Sequence, residues 1–361
     1  MLRLGRLTID VPFVQAALSG YSDVAMRRMS RRYGCQYALG GVVLDQTVLQ
    51  GGKKRAQILN VADDDHPVGA QLMGALPEAF GPAAADLSDA GYDVIDINFG
   101  CPVRKVLGRC RGGFHLSQPP VALEIVRRVY DAVGDRRPVT VKMRRGMDDS
   151  PDSERHFFAI LDGVFEIGAS AVTVHGRSVA QRYVGPADWS FIARVKRHAG
   201  DGVILGSGDL YTAEDCMAMM RETGVDGVTI ARGSIGQPWV FDECRALAAG
   251  LPWPDPPTVP GQGRIIREHF DECSAVYGPV IAPRLMRKFG IKYADHHPYR
   301  RSVRDAFCSA STPHDLRRIL DEWYDSQVEW PPARRRNEPS QPGRSSPPTC
   351  AAAGVEDDVE P

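Results

Sequence analysis

The sequence predicts a (β/α)8 TIM barrel followed by a small helical region, and three observations carry that expectation. Short apolar runs recur through the first 250 residues, each closing on Gly or a polar residue and most followed by a helical pattern. About eight such units in roughly 240 residues is the size of this barrel. Polar or charged residues stand at nearly every carboxyl-terminal strand end, which is where these barrels carry their reactive groups. A doubly wound open sheet is the competing architecture. It usually opens on a G-x-G-x-x-G turn, whereas here the first strand runs into Leu18-Ser19-Gly20.

In chain order, strands are expected at Phe13–Leu18, Tyr37–Leu44, Val68–Met73, Val94–Phe99, Val139–Met143, Ala171–His175, Val203–Gly206 and Gly227–Ala231. Each is a short, mostly apolar run bounded by turn-forming residues. Helices are expected between them at Asp23–Tyr33, Pro77–Ala90, Pro120–Val133, Ser153–Ile167, Trp189–His198 and Thr212–Thr223. Thr212 ahead of Ala213-Glu214-Asp215 is a start signal, and Gly34, Gly91 and Gly224 are stop signals. The segment with Gly51-Gly52 and Asp63–Asp65 has the least regular pattern. A Pro-rich linker, Leu251-Pro252-Trp253-Pro254-Asp255-Pro256-Pro257, then breaks the composition. Beyond it Arg264–Tyr277, Ala282–Tyr293, Tyr299–Ser309 and Pro313–Val328 read as amphipathic helices. The expected division is a barrel over 1–250, a helical domain over 262–330 and a tail over 331–361. That tail is Pro, Ser, Gly and charge, too poor in apolar residues to offset ordering, so disorder is expected.

Composition narrows the function classes. The 43% hydrophobic and 25% charged content suits a soluble enzyme with a sizeable core. A net charge of −1 gives no global attraction to nucleic acid, so any basic surface must be local. Eight cysteines occur without C-x-x-C spacing, which argues against zinc ribbons and iron–sulfur clusters and for reduced thiols. No signal peptide or membrane span is legible. A cytoplasmic chain with no metal, working as a monomer, is expected.

The stretch VIDINFGCPVRKVLGRCRGG, residues 94–113, is the most informative. Asp96 and Asn98 alternate with β-branched residues in a buried strand, which breaks at Gly100-Cys101-Pro102 into a basic loop. A free cysteine is usually a small buried hydrophobe, and a lone His175 or Lys142 is usually structural. Agreement among strand ends is what argues for a site. Gln71 closes the third strand, Asn98 and Cys101 the fourth, Lys142 and Arg144 the fifth, His175 and Arg177 the sixth. Ser207-Gly208-Asp209 and Ala231-Arg232-Gly233 follow the seventh and eighth, the two loops where barrels commonly bind a phosphate. Glycine-freed backbone N–H groups and a forked guanidinium suit that task.

DINFGCPVRKV, VTVKMRRG, TVHGRSVAQRYVGPADW, GSGDL and ARGSIGQPW, with the opening AALSGYSDVAMRRMSRRYG, resemble the tRNA-dihydrouridine synthases over residues 12 to 330. The resemblance implies an FMN-containing barrel that reduces uridine to 5,6-dihydrouridine in tRNA, with NADPH as reductant. It implies hydride transfer from reduced FMN to C6 of uracil and protonation of C5 by Cys101. A thiol, ordinarily titrating at about 8.5, keeps its proton near neutral pH and can act as that acid. By motif, Ala17, Leu18, Gln71, Lys142, His175, Ser207, Gly208, Asp209, Ala231, Arg232 and Gly233 would hold the cofactor. Asn98 would lie beside the flavin and the base, with Arg144 and Arg177 placing the base or its phosphate. Ser207 stands where the family usually has Asn, and Ala17-Leu18 where it has Pro-Met. The loop after Cys101 is long and carries Cys110, read here as structural.

If tRNA is the substrate, Arg284, Arg287, Lys288, Lys292, Arg300, Arg301 and Arg304 are candidate phosphate contacts, with Asp295 opposing them. Arg104, Lys105, Arg109 and Arg111 form a second basic cluster. Phe289, Tyr293 and Tyr299 are either base-stacking platforms or core. Two other functions share these residues: a dihydroorotate dehydrogenase-like FMN barrel acting on a free small molecule, and a non-catalytic RNA-binding barrel.

Overall fold

The computed structural model describes residues 1–336 and 338. They form two compact units, one of Met1–Ser234 with Pro238–Trp253, the other of Ile235–Gln237 with the chain from Pro254.

The first unit opens with an antiparallel hairpin, β1 (Leu2–Leu4) and β2 (Leu7–Ile9). Eight parallel strands follow: β3 (Phe13–Gln15), β4 (Tyr37–Leu44), β5 (Val68–Met73), β6 (Val94–Phe99), β7 (Val139–Arg144), β8 (Ala171–His175), β9 (Ile204–Ser207) and β10 (Gly227–Ile230). They close into a barrel, β10 pairing with both β9 and β3. The hairpin is the one element of this unit's sheet structure that the sequence reading missed. Its Leu2, Leu4 and Ile9 pack with Val14, Tyr37, Leu39, Val94, Ala171 and Leu205 from the early part of the barrel strands. The amino-terminal end of the barrel is thereby plugged with apolar side chains, which leaves the carboxyl-terminal end for chemistry.

The outer layer comprises α1 (Val24–Arg32), α2 (Asp45–Leu49), α3 (Lys53–Ile58), α4 (Pro77–Asp89), α5 (Arg104–Leu107), α6 (Pro119–Val133), α7 (Pro151–Ile167), α8 (Trp189–Ala199), α9 (Ala213–Thr223) and α10 (Val240–Ala248). Expected start signals act as read: the Thr212 hydroxyl accepts from Asp215 N–H while the Asp215 carboxylate caps in return. The irregular segment after β4 holds α2 and α3, too short to show a period. The linker over 251–257 carries no helix or strand.

In the second unit α11 (Val259–Tyr277), α12 (Ala282–Tyr293), α13 (Arg300–Ser309) and α14 (Pro313–Trp323) occur close to the expected spans. Phe289, Tyr293 and Tyr299 are buried, so they are core residues and not stacking platforms. Disorder was expected from Pro331, but Arg334 is buried and its backbone N–H donates to the His296 carbonyl at 2.9 Å. The buried guanidinium also reaches the Asp295 carbonyl at 3.0 Å. The rest of the expected tail, 337 and 339–361, lies outside the described residues.

Candidate functional site

Strand alternation builds the site. Residues two apart share a face, so Val94, packed against the plug, puts Asp96 and Asn98 on the barrel's inner side above it. Parallel register then sets the polar ends side by side: Gln71 opposite Asp96, Asn98 opposite Lys142, Arg144 opposite His175, and His175 opposite Ser207. Five consecutive strands therefore deliver their polar ends to one mouth.

Asn98 organises the turn that carries Cys101. Its Oδ1 accepts from the backbone N–H of Gly100 at 2.9 Å and of Cys101 at 3.1 Å. Its Nδ2 donates to Gln71 Oε1 at 2.6 Å. The following loop folds back, Gly113 N–H donating to the Cys101 carbonyl at 3.1 Å. Gly112 has φ +60, and a Cβ there would stand 2.8 Å from Cys101 Cβ, so no larger residue fits beside the thiol. Cys101 is partly accessible; Cys110, on the same loop, is exposed, and both are free thiols. Arg111, expected in the basic surface, is instead buried and donates to Gln46 Oε1 at 3.0 Å.

Lys142 projects into the same space. Burial and the Arg144 guanidinium push its ammonium down to about 8, against partial support from Asp96 and Cys101. His175 is buried, and its surroundings, desolvation first and then Lys142, Arg144, Arg177 and Arg232, drive its titration far below the ordinary imidazole range. It is neutral at any physiological pH, so it offers one donor and one acceptor and no charge.

Arg144 and Arg177, expected to place a substrate, spend most of their donors on the protein. Arg144 is 2% exposed, and burial lowers its guanidinium to about 10. Its Nε donates to the Gly100 carbonyl at 2.9 Å, and Nη1 to the carbonyls of Ser178 at 2.9 Å and Arg182 at 2.7 Å. It therefore ties the Cys101 turn to the loop after β8. Arg177 donates to the Gly185 carbonyl and to Asp209, whose Oδ2 also accepts from Ala187 N–H at 2.8 Å. The Ser207-Gly208-Asp209 turn is thus a clasp for that same loop. Gly208, at φ +118, has no room for a Cβ, which would lie 2.7 Å from Ala187 Cβ.

Arg232 is the half-exposed cation of the mouth. Its guanidinium lies 5.1 Å from the ring centres of both Tyr183 and Tyr211. Ala231 and Gly233 flank it, the Ala231 carbonyl accepting from the Ser234 hydroxyl at 2.9 Å. At the opposite side of the barrel seam Ala17 and Leu18 follow β3 half-buried, with Leu18 N–H held by the Ser22 hydroxyl at 2.8 Å. Arg284 and Arg287 are exposed on α12 in the second unit, and the Lys288 ammonium lies over the Phe289 ring at 4.8 Å. No cluster of three or more metal-ligating side chains occurs among the described residues, and no described helix is long and apolar enough to cross a membrane.

Sequence reasoning missed the support beneath these groups. Asp96 accepts from Thr140 Oγ1 at 2.6 Å and from Gln71 Nε2 at 2.7 Å. The alternation of Asp96 with Asn98 is the signal from which it was legible.

A family model for dihydrouridine synthase (Dus) matches residues 14–328 of this chain. A probable tRNA-dihydrouridine synthase of Mycobacterium tuberculosis H37Rv is 34% identical over 348 residues, covering 91% of this chain and 86% of that protein. Another, from Rickettsia conorii, is 28% identical over 332 residues, covering 91% of this chain and 98% of its own. Histamine dehydrogenase from Rhizobium sp. 4-9 superimposes with a TM-score of 0.54 at 16% identity, over 75% of this chain and 50% of that one. At that identity the likeness is one of fold alone.

Proposed function

This chain belongs to the dihydrouridine synthase family, and from that premise we propose that it reduces uridine to 5,6-dihydrouridine in tRNA, with FMN as cofactor and NADPH as reductant. The observation that carries the proposal is the Cys101 turn, held by Asn98 Oδ1 and the Arg144 guanidinium at the open end of the barrel.

The donor set suits FMN. Lys142 is a half-buried cation with no hydrogen-bond partner among the described residues, His175 is held neutral, and Arg232 offers charge beside the loops after β9 and β10. Gln71, Asn98, Lys142 and His175 would hold the ring system. Arg232, with the backbone of Ser207–Asp209 and Ala231–Gly233, would hold the phosphate arm, and Ala17 and Leu18 would pack beside it. When bound and reduced, FMN supplies the hydride for C6 of uracil. Cys101 supplies the proton for C5, and a positioned acid of this kind contributes roughly 10²–10⁴-fold. Asn98 keeps the thiol's turn in place, while Arg144 and Arg177 hold the loop after β8. The target base must leave its stack to reach the thiol.

Unmodified tRNA incubated with the protein, FMN and NADPH, then digested to nucleosides, is expected to yield dihydrouridine by mass spectrometry. Consumption of NADPH by a free pyrimidine with no dihydrouridine in tRNA would replace this proposal with the small-molecule oxidoreductase.

Because Lys142 loses its ammonium as pH rises through about 8, FMN affinity of the desalted protein is expected to fall from pH 7 upward across that value. In Lys142→Met the affinity is lower and flat over the same range. A wild-type profile without that fall would remove Lys142 from the cofactor contacts.

Exposed Arg284 and Arg287, with Lys288, are proposed to contact tRNA phosphates. Replacing all three by Gln is expected to flatten the dependence of log Kd on log salt by about 2–3, at roughly 0.7–0.9 per phosphate contact. An unaltered slope would place the interface elsewhere.

A further inference from the structure

One ionisable group beneath the mouth, Asp96, is 1% exposed and neither meets solvent nor stands among the groups that would touch cofactor or base. It ends a continuous hydrogen-bonded chain. Gly100 and Cys101 N–H donate to Asn98 Oδ1, Asn98 Nδ2 to Gln71 Oε1, and Gln71 Nε2 to Asp96 Oδ2. Thr140 Oγ1 donates to the other carboxylate oxygen. The backbone amides at the top can only donate, and a carboxylate can only accept. The two carboxamides between them therefore run in one direction, and the charged acceptor strengthens the lowest link. Burial raises the Asp96 carboxyl, and the two donors pull it back.

Asp96 faces Thr140 and Asn98 faces Lys142 in the register of β6 and β7, so the Asp96 carboxylate and the Lys142 ammonium stand on one face of adjacent strands, two residues apart. Around that ammonium the cation Arg144 opposes its charge while Asp96 and Cys101 favour it, and His175 shares its field. Tyr37, on β4, also feels Asp96.

We propose that Asp96 is a positioning residue with two reaches: a hydrogen-bonded chain through Gln71 and Asn98 that sets the Cys101 turn, and an anionic counter-charge for the Lys142 ammonium. The importance of that turn for turnover rests on the function proposed above; the chain and the counter-charge do not.

Two substitutions separate the reaches. Asp96→Asn removes the charge, but its carboxamide oxygen can still face Gln71 Nε2, leaving its NH₂ to the Thr140 hydroxyl. Asp96→Leu removes both charge and acceptor. In protein labelled with ¹³C-lysine, the Lys142 side-chain resonance, assigned through Lys142→Met, is titrated by NMR. Its midpoint is expected to move down by about 1 pH unit in both variants. Hydrogen exchange at the Gly100 and Cys101 amides is expected to stay at the wild-type rate in Asp96→Asn and to speed several-fold in Asp96→Leu. A Lys142 midpoint that does not move overturns the counter-charge, and unchanged exchange in Asp96→Leu overturns the chain. If Asp96→Asn does not fold, the Lys142 midpoint in Asp96→Leu decides the charge. If Asp96→Leu does not fold, exchange at the Gly100 and Cys101 amides in Asp96→Ala, which also removes the acceptor, decides the chain by the same criterion. Both readouts are independent of turnover, so a protein that fails to reduce tRNA would sink the proposed function and leave this test intact.

Discussion

Replacing Cys101 by Ala is expected to lower the rate of tRNA reduction by roughly 10²–10⁴-fold, the contribution of a positioned general acid. FMN content and tRNA affinity should stay near wild type. The reason for the separation is geometric. Asn98 and Arg144 hold the turn through backbone groups of Gly100 and Cys101, not through the thiol. Removing the sulfur therefore takes away the proton and leaves the frame. Single-turnover measurement of FMN re-oxidation by tRNA reads the chemical step directly, and a rate within threefold of wild type would defeat the role given to Cys101. Cys110 supplies the control. It is exposed on the same loop, and its thiol takes no part in the bonds that hold Cys101, so Cys110→Ser should leave the rate unaffected.

The second large effect is expected from Arg144→Met, which keeps much of the stem's packing and removes the donors. Carbonyls of Gly100, Ser178 and Arg182 would each lose a charged partner in a buried setting. An orphaned buried acceptor costs about 1–3 kcal/mol, so a total loss of roughly 3 kcal/mol is expected by urea unfolding once local relaxation is allowed. Turnover should fall as well, because both the Cys101 turn and the loop after β8 are released. Arg144→Lys should rescue neither, since one ammonium cannot serve three carbonyls spread across two loops. A variant as stable as wild type would mean that the guanidinium is held for the substrate and not for the loops.

The barrel was legible because its strands are short apolar runs separated by helical patterns, and because their polar ends repeat. The plug formed by β1 and β2 was not. Strands of three residues, Leu2–Leu4 and Leu7–Ile9, are too brief for alternation to declare itself. The candidate site residues were proposed from their place at strand ends, but place alone does not say which way a side chain spends its donors. Arg144 and Arg177 read as substrate contacts from the sequence, and only the fold reveals that neighbouring carbonyls and Asp209 claim them first. Phe289, Tyr293 and Tyr299 were open between stacking and core for a related reason: only the fold shows that Phe289 and Tyr293 share the buried face of α12 with Met286, and that Tyr299, ahead of α13, is buried as well. Asp96 was visible as a polar residue in a buried strand, yet its purpose depends on Thr140 and Gln71 from the two flanking strands, and pairing across a barrel is not a local property of sequence.

The most direct test of the central claim is an anaerobic spectrum of the FMN-loaded protein. NADPH should bleach the flavin bands, and they should return when unmodified tRNA is added, but not when tRNA already carrying dihydrouridine is added. Bleaching that persists in the presence of unmodified tRNA, with recovery only on adding a free pyrimidine or other small oxidant, would contradict it.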